Sequence, residues 1–184
     1  QRQMCIRDRA QDTAIFQSTS FGSGATVTLN AAYNIGTIDM SARTTNTMTL
    51  ASSTTTPAVY GNWINGTGTS FTGTGAITFA GRGSQTITCA GIAFTQPITI
   101  NSPNGSVTLS DAFLSGNSTT TALSIVSGTF DANDKNVTLS GAASSVSSTN
   151  SNIRTIAVGA GTWTLSGTAP WTASTATNLT VTGT

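Results

Sequence analysis

An apolar residue, a threonine and a second apolar residue recur as one unit along this chain, and that unit leaves it few ways to fold. The unit is densest as Ile77-Thr78-Phe79, Ile87-Thr88-Cys89, Ile98-Thr99-Ile100 and Val107-Thr108-Leu109, at steps of 10, 11 and 9 residues. In an extended strand neighbouring side chains point to opposite faces, so both apolar residues turn inward and the threonine outward. The pattern starts at Val27-Thr28-Leu29 and passes through Ile38-Asp39-Met40, Met48-Thr49-Leu50 and Ala58-Val59-Tyr60. It continues as Leu123-Ser124-Ile125, Val137-Thr138-Leu139, Ile156-Ala157-Val158, Trp163-Thr164-Leu165 and Leu179-Thr180-Val181.

Two inward residues per strand make many thin slices of core. Stacking the slices in parallel closes the backbone hydrogen bonds between them and piles like residue on like. With two or three strands to a coil, each coil takes about 20–30 residues, a usual repeat length. A longer echo supports this: Gly36-Thr37-Ile38-Asp39 followed by Met48-Thr49-Leu50 returns as Gly128-Thr129-Phe130-Asp131 followed by Val137-Thr138-Leu139. The expected fold is all-β, a right-handed parallel β-helix with ladders of outward threonine. A β-sandwich, or tandem β-sandwiches, also fits strands at this spacing. Asn65-Gly66 and Asn104-Gly105 suit positive φ, and Pro57, Pro97, Pro103 and Pro170 mark strand edges or corners. Ser52–Thr56, Gly116–Thr121 and Ala142–Asn152 read as polar excursions from the coils.

Composition agrees. The chain has seven Lys plus Arg, six Asp, and neither Glu nor His. Helix formers are scarce, whereas Thr, Val and Ile favour strands. Gln1–Arg9 holds four of the charges, does not match the rest of the chain, and is set apart as a non-native segment. Residues 10–184 are read as a single solenoid domain, a fragment of a longer protein. From residue 10 onward Arg43, Arg82, Lys135 and Arg154 face Asp12, Asp39, Asp111, Asp131 and Asp134. That balance lacks the basic footprint of a nucleic-acid or anionic-membrane binder, and no apolar run is long enough to insert in a membrane as a helix.

Little chemistry can be assembled from such residues. Without His, neither a Ser-His-Asp nor a Cys-His arrangement can form within the chain. Asp131 and Asp134 are the one close carboxylate pair; they suit half a glycosidase site or a Ca²⁺ loop. The run lacks an EF-hand's glycine and terminal Glu, and a solvated turn is the simpler reading. Cys89 takes an inward position and reads as a small buried hydrophobe; Cys5 lies in the odd leading segment. No catalytic set, metal site or cofactor is expected. Trp163 opens a triplet and belongs to the core. Tyr60, Trp63 and Trp171 are candidates for stacking on sugar rings, with neighbouring Asn and Thr bonding hydroxyls.

The phrases Gly75-Ala76-Ile77-Thr78-Phe79, Ser84-Gln85-Thr86-Ile87-Thr88, Phe94-Thr95-Gln96-Pro97-Ile98-Thr99-Ile100 and Gly128-Thr129-Phe130-Asp131 carry a resemblance, as do Arg154-Thr155-Ile156 and Gly161-Thr162-Trp163-Thr164. Residues 73–183 resemble repeat-rich β-strand proteins of environmental phages and bacteria, described as virion structural or tail proteins and as surface adhesins. Residues 1–9 resemble translated sequencing-adapter read-through. The resemblance implies a non-enzymatic structural or receptor-contacting module of a phage virion or tail fibre, with a bacterial secreted or cell-surface adhesin as the alternative. A polysaccharide-active β-helix enzyme is a distant third. The implied partner is a cell-surface glycan or protein receptor, the implied assembly a homotrimer, and the implied location the virion or the cell exterior. No catalytic residue carries over.

Overall fold

The computed structural model describes residues 11–52, 54–118, 121–141 and 145–183. The 1–9 segment with Cys5, and parts of the three polar excursions (53, 119, 120 and 142–144), lie outside the described residues. The described chain is an all-β solenoid of about seven turns, every strand pairing in parallel with its counterparts one coil away.

Each coil passes over three faces in the same order. The first coil holds β1 (Ala14–Ile15), β2 (Ala25–Leu29) and β3 (Asn34–Ile35). The second holds β4 (Ile38–Asp39), β5 (Met48–Ser52) and β6 (Ala58–Val59), and the third β7 (Trp63–Ile64), β8 (Thr69–Gly73) and β9 (Ile77–Phe79). The fourth starts with β10 (Ser84–Thr88), crosses the second face at Phe94 and ends in the first half of β11 (Ile98–Leu109). The fifth runs through the rest of β11, β12 (Phe113–Ser115) and the first half of β13 (Leu123–Asp131). The sixth completes β13 and adds β14 (Val137–Leu139) and β15 (Val146–Ser147). The seventh holds β16 (Arg154–Ala157), β17 (Trp163–Leu165) and β18 (Trp171–Thr172), and β19 (Leu179–Thr182) returns to the first face. Partners on adjacent coils are between 20 residues apart, as for Ala58 and Thr78, and 26, as for Gly128 and Arg154. At about 4.8 Å per step, seven steps make a stack about 34 Å tall.

The triplets behave as their alternation requires. Ile77, Ile98, Leu123, Val146 and Trp171 lie one above another on the inner side of the third face. Their neighbours Thr78, Thr99, Ser124, Ser147 and Thr172 form a hydroxyl ladder outside. Two pairs of triplets differ from expectation. Ile98-Thr99-Ile100 and Val107-Thr108-Leu109 share one strand, β11, bent through Pro103 and Asn104, with Asn104 at φ +61°. Leu123-Ser124-Ile125 and Gly128–Asp131 are likewise joined in β13. The Gly-Thr-apolar-Asp phrases close as read: Asp39 Oδ1 accepts from the Ser41 N–H, and Asp131 Oδ1 from the Asn133 N–H.

Aromatic rings run up the core. Phe71 stacks on Phe94 with centroids 5.0 Å apart, and Phe94 on Phe113 at 5.6 Å. Edge contacts carry the column on to Phe130 and Trp163, and a tilted contact to Trp171. Phe94 matters most because the second face is thin there: β2, β5 and β8 form one small sheet and β12, β14 and β17 another. Among the described residues only the Phe94–Ser115 bridge pairs the fourth coil with the fifth on this face. Trp163, assigned to the core, is partly buried and packs against it.

Substituting Phe94→Ala removes both stacked contacts at that thin point and is expected to lower unfolding free energy by about 3–5 kcal/mol. Chemical denaturation followed by far-ultraviolet circular dichroism measures it; a change below about 1 kcal/mol would show that the aromatic column is not what joins the two halves.

Candidate functional site

Chemistry on a solenoid has to come from its corners, because alternation fixes the residues of the faces. The corner between the third and first faces changes length sharply between neighbouring coils. Asn101 pairs with Ser127 and Ser106 with Thr129, so the fourth coil uses four residues, Ser102 to Gly105, where the fifth uses only Gly128. Ser124 pairs with Ser147 and Gly128 with Arg154, so the sixth coil uses six residues, 148–153, where the fifth uses three. A short corner between two long ones leaves a trough. Its floor is Ser127-Gly128-Thr129, and its walls are Pro103-Asn104 and Asn152-Ile153. The open groove measures about 690 Å³ and reaches Asn178 on the seventh coil. Gly128 sits at φ +81°, and a Cβ there would strike the Ser102 carbonyl oxygen. Only glycine lets the floor pass this close beneath the wall.

Arg154 holds one wall in place. Its side chain is buried, a heavy desolvation cost for a cation unless oxygens surround it. Nε donates to Ser148 Oγ, Nη1 to the Asn152 and Thr177 carbonyls, and Nη2 to the Ser148 and Thr175 carbonyls. One guanidinium thereby ties the long corners of the sixth and seventh coils together. With Arg154 pointing inward, Ile153 points out and is 79% exposed.

The groove's free polar atoms are uncharged. Asn101 Oδ1 accepts from Ser127 Oγ, Asn152 Nδ2 donates to the Val126 carbonyl, and Asn178 Nδ2 to the Ser151 carbonyl. The other end of each amide, together with the Asn104 side chain and the Thr129 and Thr155 hydroxyls, makes no hydrogen bond among the described residues.

Two of the three stacking candidates stay at the surface. Tyr60 is 36% exposed, on the same corner as the groove but two coils away, its hydroxyl 3.4 Å from Asn34 Oδ1. Trp171 is 37% exposed on the last coil, its ring against Trp163 at 5.9 Å. Trp63 requires a correction. It is fully buried, donates from Nε1 to Asn65 Oδ1 at 2.7 Å, and touches the rings of Phe71, Phe79 and Phe94. It follows the inward register Ala14–Ile38–Trp63–Ile87, so no sugar can reach it. The turn behind it is also tucked in: Asn65 donates to the Cys89 carbonyl, and Gly66 lies against the Met40 and Arg43 carbonyls. Tyr60 follows the second coil and Trp171 lies on the seventh, so the two form no joint platform.

Asp131 and Asp134 belong to a turn at another corner. Asp131 Oδ1 is taken by the Asn133 N–H, and Asp134 Oδ1 receives the Ala160 N–H of the next coil. Among the described residues no three of His, Cys, Asp and Glu come together as a metal-binding group. Cys89 is buried as read. Burial pushes its thiol up to about 12; a hydrogen bond with the Leu114 backbone opposes the rise and the Asp111 carboxylate adds to it. The groove itself escaped the sequence reading, although one signal was present. Inward residues Ile100 and Val107 are seven apart across the fourth corner, whereas Ile125 and Phe130 are five apart across the fifth.

Between the thiol's ordinary value of 9.0 and about 12, unfolded Cys89 has lost its proton and folded Cys89 has kept it. The native state then binds more protons, so stability is full below pH 9 and falls as pH rises toward 12. In a Cys5→Ala background, adding Cys89→Ala is expected to flatten this alkaline loss, read as the change in denaturation midpoint between pH 8 and 11. An unchanged slope would mean the thiol is not held protonated. Comparison with known proteins returns no matching family model, no matching curated protein and no matching solved structure.

Proposed function

We propose that the protein is a non-enzymatic structural and receptor-contacting module of a phage virion or tail fibre, displayed outside the cell it meets. The observation that carries this reading is the hydroxyl and amide surface laid over a rigid stack. Thr78, Thr99, Ser124, Ser147 and Thr172 run along one face, and an uncharged groove lies at the adjoining corner. Such a surface hydrates without attracting polyions, and corner length can change from coil to coil while the core register is kept. A bacterial surface adhesin would use the same scaffold in the same way.

Binding of the fluorescently labelled protein to a panel of intact environmental bacteria tests the reading. Attachment is expected to persist at about 1 M salt, where charge-driven binding is screened within about 3 Å. Release of reducing ends from extracellular polysaccharide, abolished by Asp131→Asn, would instead make the protein a polysaccharide-active enzyme. Failure to attach to any of the bacteria would count against receptor contact.

A further inference from the structure

We infer that the groove over Gly128 is a binding site for a neutral oligosaccharide laid along the solenoid axis. The inference rests on the receptor-contact reading and gives it a place and a ligand class. The charge, backbone, polar groups, apolar surface and size of the groove all point this way.

The groove offers a ligand hydroxyl and amide groups and no charge. Arg154 is the one ionisable side chain lining it, and every donor direction of its guanidinium already ends on a protein oxygen. A phosphate or carboxylate would find no counter-charge, so a polyanion gains little here. The backbone is committed too: the Gly128 N–H goes to the Ile153 carbonyl and the Arg154 N–H to Asn178. With no open strand edge in the groove, a peptide cannot add itself as a strand.

What remains suits a ligand dense in hydroxyls. Asn104, Asn152 and Asn178 present amide atoms from the fourth, sixth and seventh coils. Thr129 and Thr155 stand in register on the floor, between Ser106 below and Thr180 above. Along the axis these groups recur at about the coil spacing of 4.8 Å, a repeat that favours a polymer over a single sugar. Pro103 and the 79% exposed Ile153 add apolar surface where the C–H face of a sugar ring can rest. A volume of about 690 Å³ lies within the range of ligand sites, about 300–1,000 Å³.

The test is amide chemical-shift mapping of the ¹⁵N-labelled protein with neutral glucan, mannan and galactan oligosaccharides, and with polygalacturonate as a polyanion. At least one neutral oligosaccharide is expected to shift the amides of Ser127, Gly128, Thr129 and Thr155, equally at about 0.1 and 1 M salt. Thr129→Val with Thr155→Val removes both floor hydroxyls at constant shape and is expected to weaken binding about tenfold. Asn104→Gly keeps the positive φ while removing the wall amide, and should weaken binding with no change in circular dichroism. Three results would overturn the site. In one, the shifts gather at Tyr60 or Trp171, which leaves receptor contact standing. In another, only polygalacturonate binds and salt abolishes it. In the third, no oligosaccharide of the panel binds, and cell attachment then decides the wider reading separately.

Discussion

The parallel hydrogen-bond ladder between coils is what the rest of this molecule depends on. A strand of two or three residues has no stability of its own; its N–H and C=O groups are satisfied only by the coils above and below. That requirement forces every coil to present the same faces in the same order, and so sets Ile77 on Ile98 and Thr78 on Thr99. Side chains extend the ladder where the backbone turns away. Asn62 Oδ1 accepts from the Thr86 N–H, Asn136 Oδ1 from the Thr162 N–H, and both Asp111 oxygens take amides of Cys89 and Ala90. Each of these bonds joins one coil to a neighbour.

The corners pose the opposite problem, since polar groups buried there need partners that no neighbouring strand supplies. Three buried side chains provide them. Gln85 occupies an inward position beside Val107 and is fully used: Nε2 donates to the Val59 and Gly61 carbonyls, and Oε1 accepts from the Gly81 N–H and from Ser102 Oγ. Arg43 lies over the Phe21 ring at 4.1 Å and donates to the Gln17, Ser18 and Phe21 carbonyls at the first coil. Arg154 does the same for the last two corners. Gln85 and Arg154 are complete, whereas Arg43 leaves its buried Nε without a partner among the described residues, and an orphaned buried donor or acceptor costs about 1–3 kcal/mol. The three side chains let corners of different length share one core, and the groove is a product of that freedom.

Much of this was legible in the chain. The triplets gave the inward and outward sides of the strands, the coil length and the outer threonine ladders, and the Gly-Thr-apolar-Asp phrases gave their turns. The prolines marked corners as read: Pro103 sits in the Ser102–Gly105 corner, although the strand assignment runs on through the bend. Short strands such as Phe113–Ser115 carry too few residues to show a period. The burial of Arg43 and Arg154 had no signal in the chain, because burial of a cation depends on carbonyls from segments more than twenty residues away. Trp63 looked displayed because its Gly/Asn-rich surroundings resemble a loop, yet its register with Ile38 and Ile87 puts it inside.

The sequence by itself determined which residues face inward and how often the pattern returns, since alternation is a local property of an extended backbone. Only the tertiary structure decided where coils of unequal corner length leave a trough, because depth is a difference between neighbours. Gly128 becomes a groove floor only once Pro103 and Ile153 stand on either side of it, in chain segments that meet through the stacking of coils.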